Sequence, residues 1–328
     1  MRCVPNCAYE GPTLFGKETD RRWRVEYRAF PYMRDMPDAL LRQRFRDIFR
    51  NFMTINTAGK SSPIHPSDRW HGYWRLRFNH VIDEFEHRFG PYPAGFEEED
   101  GSIWWPDPRS ARQIAGRQAG VGRTFEEGKQ LFKYGKRAHI EAMLRHGAVR
   151  VSPASFFIEP SLTDAVRDNE LEMERWMFKP SIDDLTPYIA DEKERLMALK
   201  KGTAVATRRS SDFWMFCLSL HFHGWMFDDF DADACLVVHE PIVFRDLLLV
   251  GVGSAINAKA QTFSTVTYVD PLTQFEDGVP VAFQKHARHS YQDEIRAAWQ
   301  PAADKNPLQP IVVEIGSLES IAEIIAIT

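Results

Sequence analysis

The spacing of aromatic residues changes along this chain, and that change limits its possible folds more than any other feature. Leu40, Leu41, Phe45, Ile48, Phe49, Phe52 and Met53 recur at helical intervals behind the starting signals Asp35, Pro37 and Asp38. Trp70, Trp74, Phe78, Val81, Phe85 and Phe89 form a second stripe, closed by Gly90 and Pro91. Such stripes are far more often packed core than a cofactor surface, so they predict two amphipathic helices. From Leu131 the period shortens. Residues 131–134, 148–152, 213–218, 235–238, 247–252, 265–269 and 311–315 read as strands. Residues 136–146, ended by Gly147, read as a helix, as do 164–177 and 191–200, with 318–324 a short closing helix or turn. Helices early and strands late predict an α+β protein rather than alternating β-α-β units.

The stretch 91–122 is rich in Pro, Gly and Arg, carries Glu97, Glu98, Glu99 and Asp100, and holds Trp104 and Trp105. It reads as a connection, with a boundary near Arg123 between a helical region, 1–122, and an α+β domain, 123–328. With 328 residues, 44% hydrophobic and 27% charged, the chain has globular composition and enough Trp and Phe for a core without metal or disulfide staples. Four cysteines read as ordinary cytosolic thiols. The most apolar stretch, 234–256, contains His239, Glu240, Arg245 and Asp246, and burying charge in lipid costs roughly 3 kcal/mol per group. No secretory signal opens the chain, so a soluble cytoplasmic protein with no membrane partner is expected.

A net charge of −5 hides a local excess of arginine. Between Arg21 and Arg50 lie Arg22, Arg24, Arg28, Arg34, Arg42, Arg44 and Arg46, beside Trp23, Tyr27, Phe30 and Tyr32. Cations interleaved with rings can track a phosphate backbone and stack on bases, which makes DNA or RNA a candidate partner. A solvated helix face with core aromatics is the ordinary reading.

Several motifs fail on spacing. Gly59-Lys60-Ser61 resembles the end of a phosphate loop, but Thr54 stands where the first glycine belongs. Asp229, Asp231, Asp233 and Glu240 fall at calcium-loop positions, yet Ala234 replaces the glycine of the sharp turn. His221, His223, His239, His286 and His289 lack a spacing that fixes convergence on a metal, and Cys3 with Cys7 has no second pair.

Three separated pieces remain. Residues 131–135, Leu-Phe-Lys-Tyr-Gly, present Lys133 and Tyr134; residues 151–156 end a strand with Ser152 and Ser155. Residues 291–296, Tyr-Gln-Asp-Glu-Ile-Arg, place Gln292 and Glu294 on one side if the segment is extended. In order, these pieces together with Cys217-Leu218-Ser219, Trp225-Met226 and Cys235-Leu236-Val237-Val238 resemble a widespread bacterial family of unknown function, often encoded near phage-defence genes. The likeness covers residues from 131 onward. Members usually continue from Ser-Pro-x-x-Phe into Asn-Asp-Pro, where this chain has Ile158-Glu159-Pro160.

That layout in turn looks like the ADP-ribosyltransferase fold, including the toxin branch that modifies nucleic acids. The resemblance implies NAD as substrate, with Lys133 or Tyr134 at the first position, Ser152 or Ser155 at the second, and Gln292 with Glu294 at the third. Lys133 departs from the His or Arg usual there. Cleaving the nicotinamide–ribose bond develops positive charge on the ribose, which Glu294 would stabilise while Gln292 orients the acceptor or Asp293 helps deprotonate it. Ser152 or Ser155 would hold the carboxylate or the ribose. Tyr134 or Tyr291 would stack on nicotinamide, and Arg296 would pair with a pyrophosphate or with Glu294. On this reading Glu294→Gln stops nicotinamide release with a nearly unchanged melting temperature. Plain NAD hydrolysis, a non-catalytic nucleic-acid-binding module, and an antitoxin partner are the accompanying expectations. A Mg²⁺ nuclease built on Asp229, Asp231 and Glu240 is the remaining alternative.

Overall fold

The computed structural model describes residues 17–56, 58–91, 108–120, 125–126, 128–163, 165–272, 278–302 and 307–327. Cys3, Cys7, Glu97, Trp104, Trp105 and the expected boundary at Arg123 lie outside them. The protein is α+β, as the sequence predicts. It divides into two compact units: Met1–Gln113 with Glu174–Ala206 and Asp270–Phe275, and Ile114–Met173 with Thr207–Val269 and Glu276–Thr328. The first unit is therefore assembled from separated stretches rather than from the N-terminal region alone.

In the first unit, α1 (Lys17–Ala29) and α2 (Asp38–Phe52) pack on α3 (His71–Phe89), with the short antiparallel pair β1 (Met53–Ile55) and β2 (Ser61–Pro63) between the latter two in sequence. The aromatic stripes meet each other as their spacing requires: Phe45 lies 5.0 Å from Phe85 between ring centroids, and Phe52 lies 5.2 Å from Phe78. Gly90 ends α3 at φ +88°, a value open to glycine. Acids of α3 answer the arginine-rich segment. Arg24 pairs with Glu86 (3.1 Å), Arg28 with Asp83 (2.6 Å) and Arg34 with Glu84 (3.2 Å). Arg44 and Arg77 both hold Asp270 at 2.8 Å, and Arg42 lies over the Phe89 ring at 4.5 Å. Much of this positive charge is thus matched inside the unit.

The second unit is a split sheet. After α4 (Pro108–Gly120) come β3 (Leu131–Gly135), α5 (Arg137–His146) and β4 (Ala148–Pro153). The chain then makes an excursion that belongs mostly to the first unit: β5 (Glu172–Phe178) pairs with β6 (Thr203–Arg209), and α6 (Ile182–Leu185) and α7 (Glu192–Lys201) lie between them in sequence. Then follow β7 (Trp214–Ser219), α8 (Met226–Asp229), β8 (Ala234–Val238), α9 (Pro241–Ile256), β9 (Ala258–Thr265) and β10 (Thr267–Val269). β11 (Gln284–His286), β12 (Glu294–Pro301), β13 (Ile311–Glu314) and β14 (Ala322–Ala326) complete the order.

β7 is the shared strand. One edge pairs along its whole length with β12, from Trp214↔Trp299 to Ser219↔Glu294. The other edge is shared: Met215 and Trp214 meet Ser152 and Pro153 of β4, while Ser219 meets Phe132 of β3. Among the described residues, Phe216, Cys217 and Leu218 have no strand partner there. The sheet therefore forks into β9-β12-β7-β4-β13 and β7-β3-β8-β14, all antiparallel. β10 and β11 form a separate parallel pair. Side-chain alternation sorts the faces: Phe216, Leu218, Ala297 and Trp299 join the main core with Phe244, Leu248 and Val252 of α9. Cys217, Ser219, Glu294 and Arg296 occupy the opposite side.

Three expected elements differ. Residues 247–252 lie in α9, where Phe244, Leu248 and Val252 are buried at helical spacing behind Pro241 in the first turn. A continuous apolar run conceals that period. The expected helix over 164–177 is replaced at its end by β5, whose pairing with β6 is non-local. Residues 319–321 form the expected turn, but the segment from Ala322 onward pairs with β8 as β14.

Candidate functional site

Where β3 and β4 diverge, a cavity of about 760 Å³ opens within the second unit, inside the roughly 300–1,000 Å³ range of small-molecule sites. α5 connects the two diverging strands, and Ile140 and Met143 from it line one side. Gly147 makes the return into β4 possible, since it sits at φ +64° and a Cβ there would meet the Gly316 carbonyl oxygen at 2.1 Å. The Lys133 ammonium crosses the fork and donates to the Cys217 carbonyl at 2.8 Å, supplying a partner in the interval without a neighbouring strand. Burial lowers the Lys133 pKa, with Cys217 and Glu294 opposing.

The cavity wall is aromatic and aliphatic at Phe132, Tyr134, Phe156, Phe157, Met215 and Phe230, and polar at Ser152, Ser219, Gln292, Glu294, Lys285 and Glu170. Lys133, Tyr134, Ser152, Gln292 and Glu294, named from three distant pieces of sequence, thus share one cavity. Gln292 and Glu294 meet by a different backbone route from the extended one expected. Gln292 ends a 3₁₀ turn (Ala287–Gln292), Asp293 adopts a left-handed conformation, and the strand starts at Glu294. Both side chains still reach Lys285 Nζ, at 3.0 and 2.9 Å.

Glu294 sits in a buried ionic cluster. Arg296 Nε donates to its Oε1 at 2.8 Å, Lys285 holds its Oε2, and Glu170 pairs with Arg296 at 2.8 Å and with Lys285 at 3.4 Å. Burial alone would raise the Glu294 pKa, but Arg296 and then Lys285 hold the carboxyl well below the usual range. The same acids lift Lys285 and Arg296 well above theirs against the opposing effect of burial. Asp168, near Glu170, is pushed up to about 6 by burial and then by Glu170. Burial, followed by Glu294, pushes the Cys217 thiol up to about 12. A carboxylate so held is a fixed negative charge. Its removal leaves two buried cations facing one acid, so the expected insensitivity of melting temperature to Glu294→Gln does not fit this placement.

Arg296, Ser155 and Tyr291 stand apart from the wall. Arg296, 0% exposed, takes the second of its two expected roles by pairing with Glu294 and donating to the Ala282 carbonyl at 2.7 Å. Ser155 donates to Asp212 at 2.6 Å from within the 3₁₀ turn Ala154–Ile158. Tyr291 packs beside the Phe132–Tyr134 cluster, and its hydroxyl accepts from Gln292 at 3.4 Å. The Tyr134 hydroxyl accepts from the His223 backbone at 2.8 Å.

Lys285, Glu170 and Arg150 were missed. Lys285 precedes Glu294 by nine residues with no motif linking them, and Glu170 comes from a loop that only the fold brings near. Arg150 lines the cavity from β4, its guanidinium 5.2 Å from the Phe156 ring centroid, and has no ion-pair partner among the described residues.

Elsewhere, no group of three or more His, Cys, Asp or Glu is placed to hold a metal among the described residues. Asp231 pairs with Lys136, and Asp233 accepts from the Arg137 backbone at the start of α5. No helix of the described residues is long and apolar enough to cross a membrane. The chain matches no protein-family model, no curated protein and no solved structure in the three comparisons.

Proposed function

We propose that the second unit binds NAD in the cavity at the sheet fork and cleaves its nicotinamide–ribose bond, transferring ADP-ribose to a macromolecule. The observation that carries this reading is convergence: Lys133 and Tyr134, Ser152, and Gln292 with Glu294 line the same cavity. A permanently ionised Glu294 suits the positive charge that develops on the ribose as nicotinamide leaves. Each of its oxygens keeps capacity for a further hydrogen bond, such as one from a ribose hydroxyl. The aromatic wall offers faces for nicotinamide and adenine, and Arg150 offers a cation to the diphosphate.

The likeness to the phage-defence-associated family and to ADP-ribosyltransferases points the same way and suggests a nucleic-acid acceptor. The matched arginines of the first unit lend that acceptor no separate support. Plain NAD hydrolysis would use the same donor site.

Nicotinamide release and NAD-dependent thermal shift test the reading on the full chain, with and without added RNA. NAD is expected to raise the melting temperature, Ser152→Ala to weaken that shift, and Glu294→Gln to stop release below its own melting point. If NAD neither stabilises the protein nor is cleaved, the transferase reading fails.

A further inference from the structure

Lys133 and Lys285 both line the cavity, and their surroundings are opposite. Lys285 Nζ meets Glu294 at 2.9 Å, Gln292 at 3.0 Å and Glu170 at 3.4 Å, so acceptors surround it and its charge is matched. Among the described residues Lys133 has no ion-pair partner: its Nζ donates to the Cys217 carbonyl at 2.8 Å and lies 4.6 Å from the Phe216 ring centroid. A ring face holds an ammonium more weakly than a buried carboxylate does. Glu294, the acid whose charge reaches Lys133, already has one oxygen on Arg296 and the other on Lys285. The Cys217 thiol, pushed up to about 12, stays protonated and supplies no counter-charge.

The fork produces this placement. β3 meets β7 only at Phe132↔Ser219, so the next residue, Lys133, extends into the interval where β7 lacks a strand neighbour. The cavity fills that interval, with Phe132, Ile140, Met143 and Met215 among its apolar walls. Burial without a matched counter-charge disfavours the ammonium, and the Lys133 pKa falls accordingly. An amine that loses its proton readily at a cavity wall is the nucleophile of imine chemistry.

We infer that Lys133 is a covalent binding site for an apolar aldehyde, which the cavity admits and the amine captures as an imine; this stands whether or not NAD is bound here. The Nζ lone pair forms a bond to the carbonyl carbon as the C–O π pair moves to oxygen. Both Nζ hydrogens leave with that oxygen as water, and a C=N bond remains. Protonation of the imine by solvent restores one N–H for the Cys217 carbonyl.

The experiment exposes the full chain at neutral pH to benzaldehyde with sodium cyanoborohydride, which reduces an imine to a stable secondary amine. Mass spectrometry of the digested protein then maps the adducts. Lys133 is expected to be labelled about tenfold faster, or more, than the exposed Lys193 and Lys200. Lys133→Met should lose the fast adduct and keep the slow surface ones; should that variant fail to fold, the wild-type map decides alone. Labelling of Lys133 no faster than that of the exposed lysines overturns the assignment. Labelling of Lys285 in its place overturns it equally, because carboxylate pairing would then not be what separates the two amines.

Discussion

Replacing Glu294 with Gln tests the cluster at the sheet fork by its energetics before any chemistry is measured. Glu170 and Glu294 oppose Lys285 and Arg296, four buried groups that sum to zero charge. In Glu294→Gln, Arg296 keeps Glu170 and the Ala282 carbonyl, and Lys285 keeps Glu170 at 3.4 Å, so one positive charge stays uncompensated. Breaking a buried pair from one side costs about 3–5 kcal/mol. For a unit of this size that is a fall in melting temperature of roughly 6–20 °C. Lys285→Met should cost about as much by leaving the acids in excess. The double variant loses one charge of each sign and leaves the Glu170–Arg296 pair, so its cost should fall short of the summed single costs by about 0.5–3 kcal/mol. Thermal and urea unfolding of the three variants at neutral pH measure this coupling. A melting point within about 2 °C of wild type for Glu294→Gln, with coupling near zero, would refute the buried ionic cluster.

Other expectations follow from single contacts. Gly147→Ala places a methyl group against the Gly316 carbonyl at a positive φ and should lose more than about 3 kcal/mol, read by urea unfolding; near-neutrality would show that the α5–β4 return relaxes freely. Asp270→Asn leaves Arg44 and Arg77 buried without their acid and should destabilise the first unit by about 3–5 kcal/mol, which unfolding monitored in that unit would detect. Asp168 has a folded pKa raised to about 6, so its contribution to stability is fully present below its unfolded value near 4 and is lost as pH rises toward about 6. Asp168→Asn should therefore be more stable than wild type above pH 6, with the difference vanishing toward pH 4; a difference of opposite sign would reject the burial-dominated account.

What could be read from sequence depended on whether the relevant contacts were local. The aromatic stripes of α2 and α3 are legible because each buried face repeats within one helix. Gly147 and Gly90 mark helix ends because their positive φ values suit glycine. Gln292, Glu294 and the pairing of Arg296 with Glu294 were legible within one short segment, but the other two members of the cluster were not. Lys285 comes from the parallel pair and Glu170 from a loop, and no local pattern announces either. The α9 segment was misread because an uninterrupted apolar run hides a period of 3.6, and β5 and β14 because their pairing partners lie far along the chain.

The order of synthesis adds a consequence to the ionic pairing in the first unit. Asp270 follows Arg77 by 193 residues, an interval of roughly 10–40 s at ordinary rates of translation. Until it emerges, the three-helix bundle lacks the acid that both Arg44 and Arg77 hold in the finished protein. Packing those guanidiniums early would bury unmatched charge. The nascent bundle is thus expected to stay loose along that side while the strands β3 to β10 are being made, and to tighten only when Asp270 arrives.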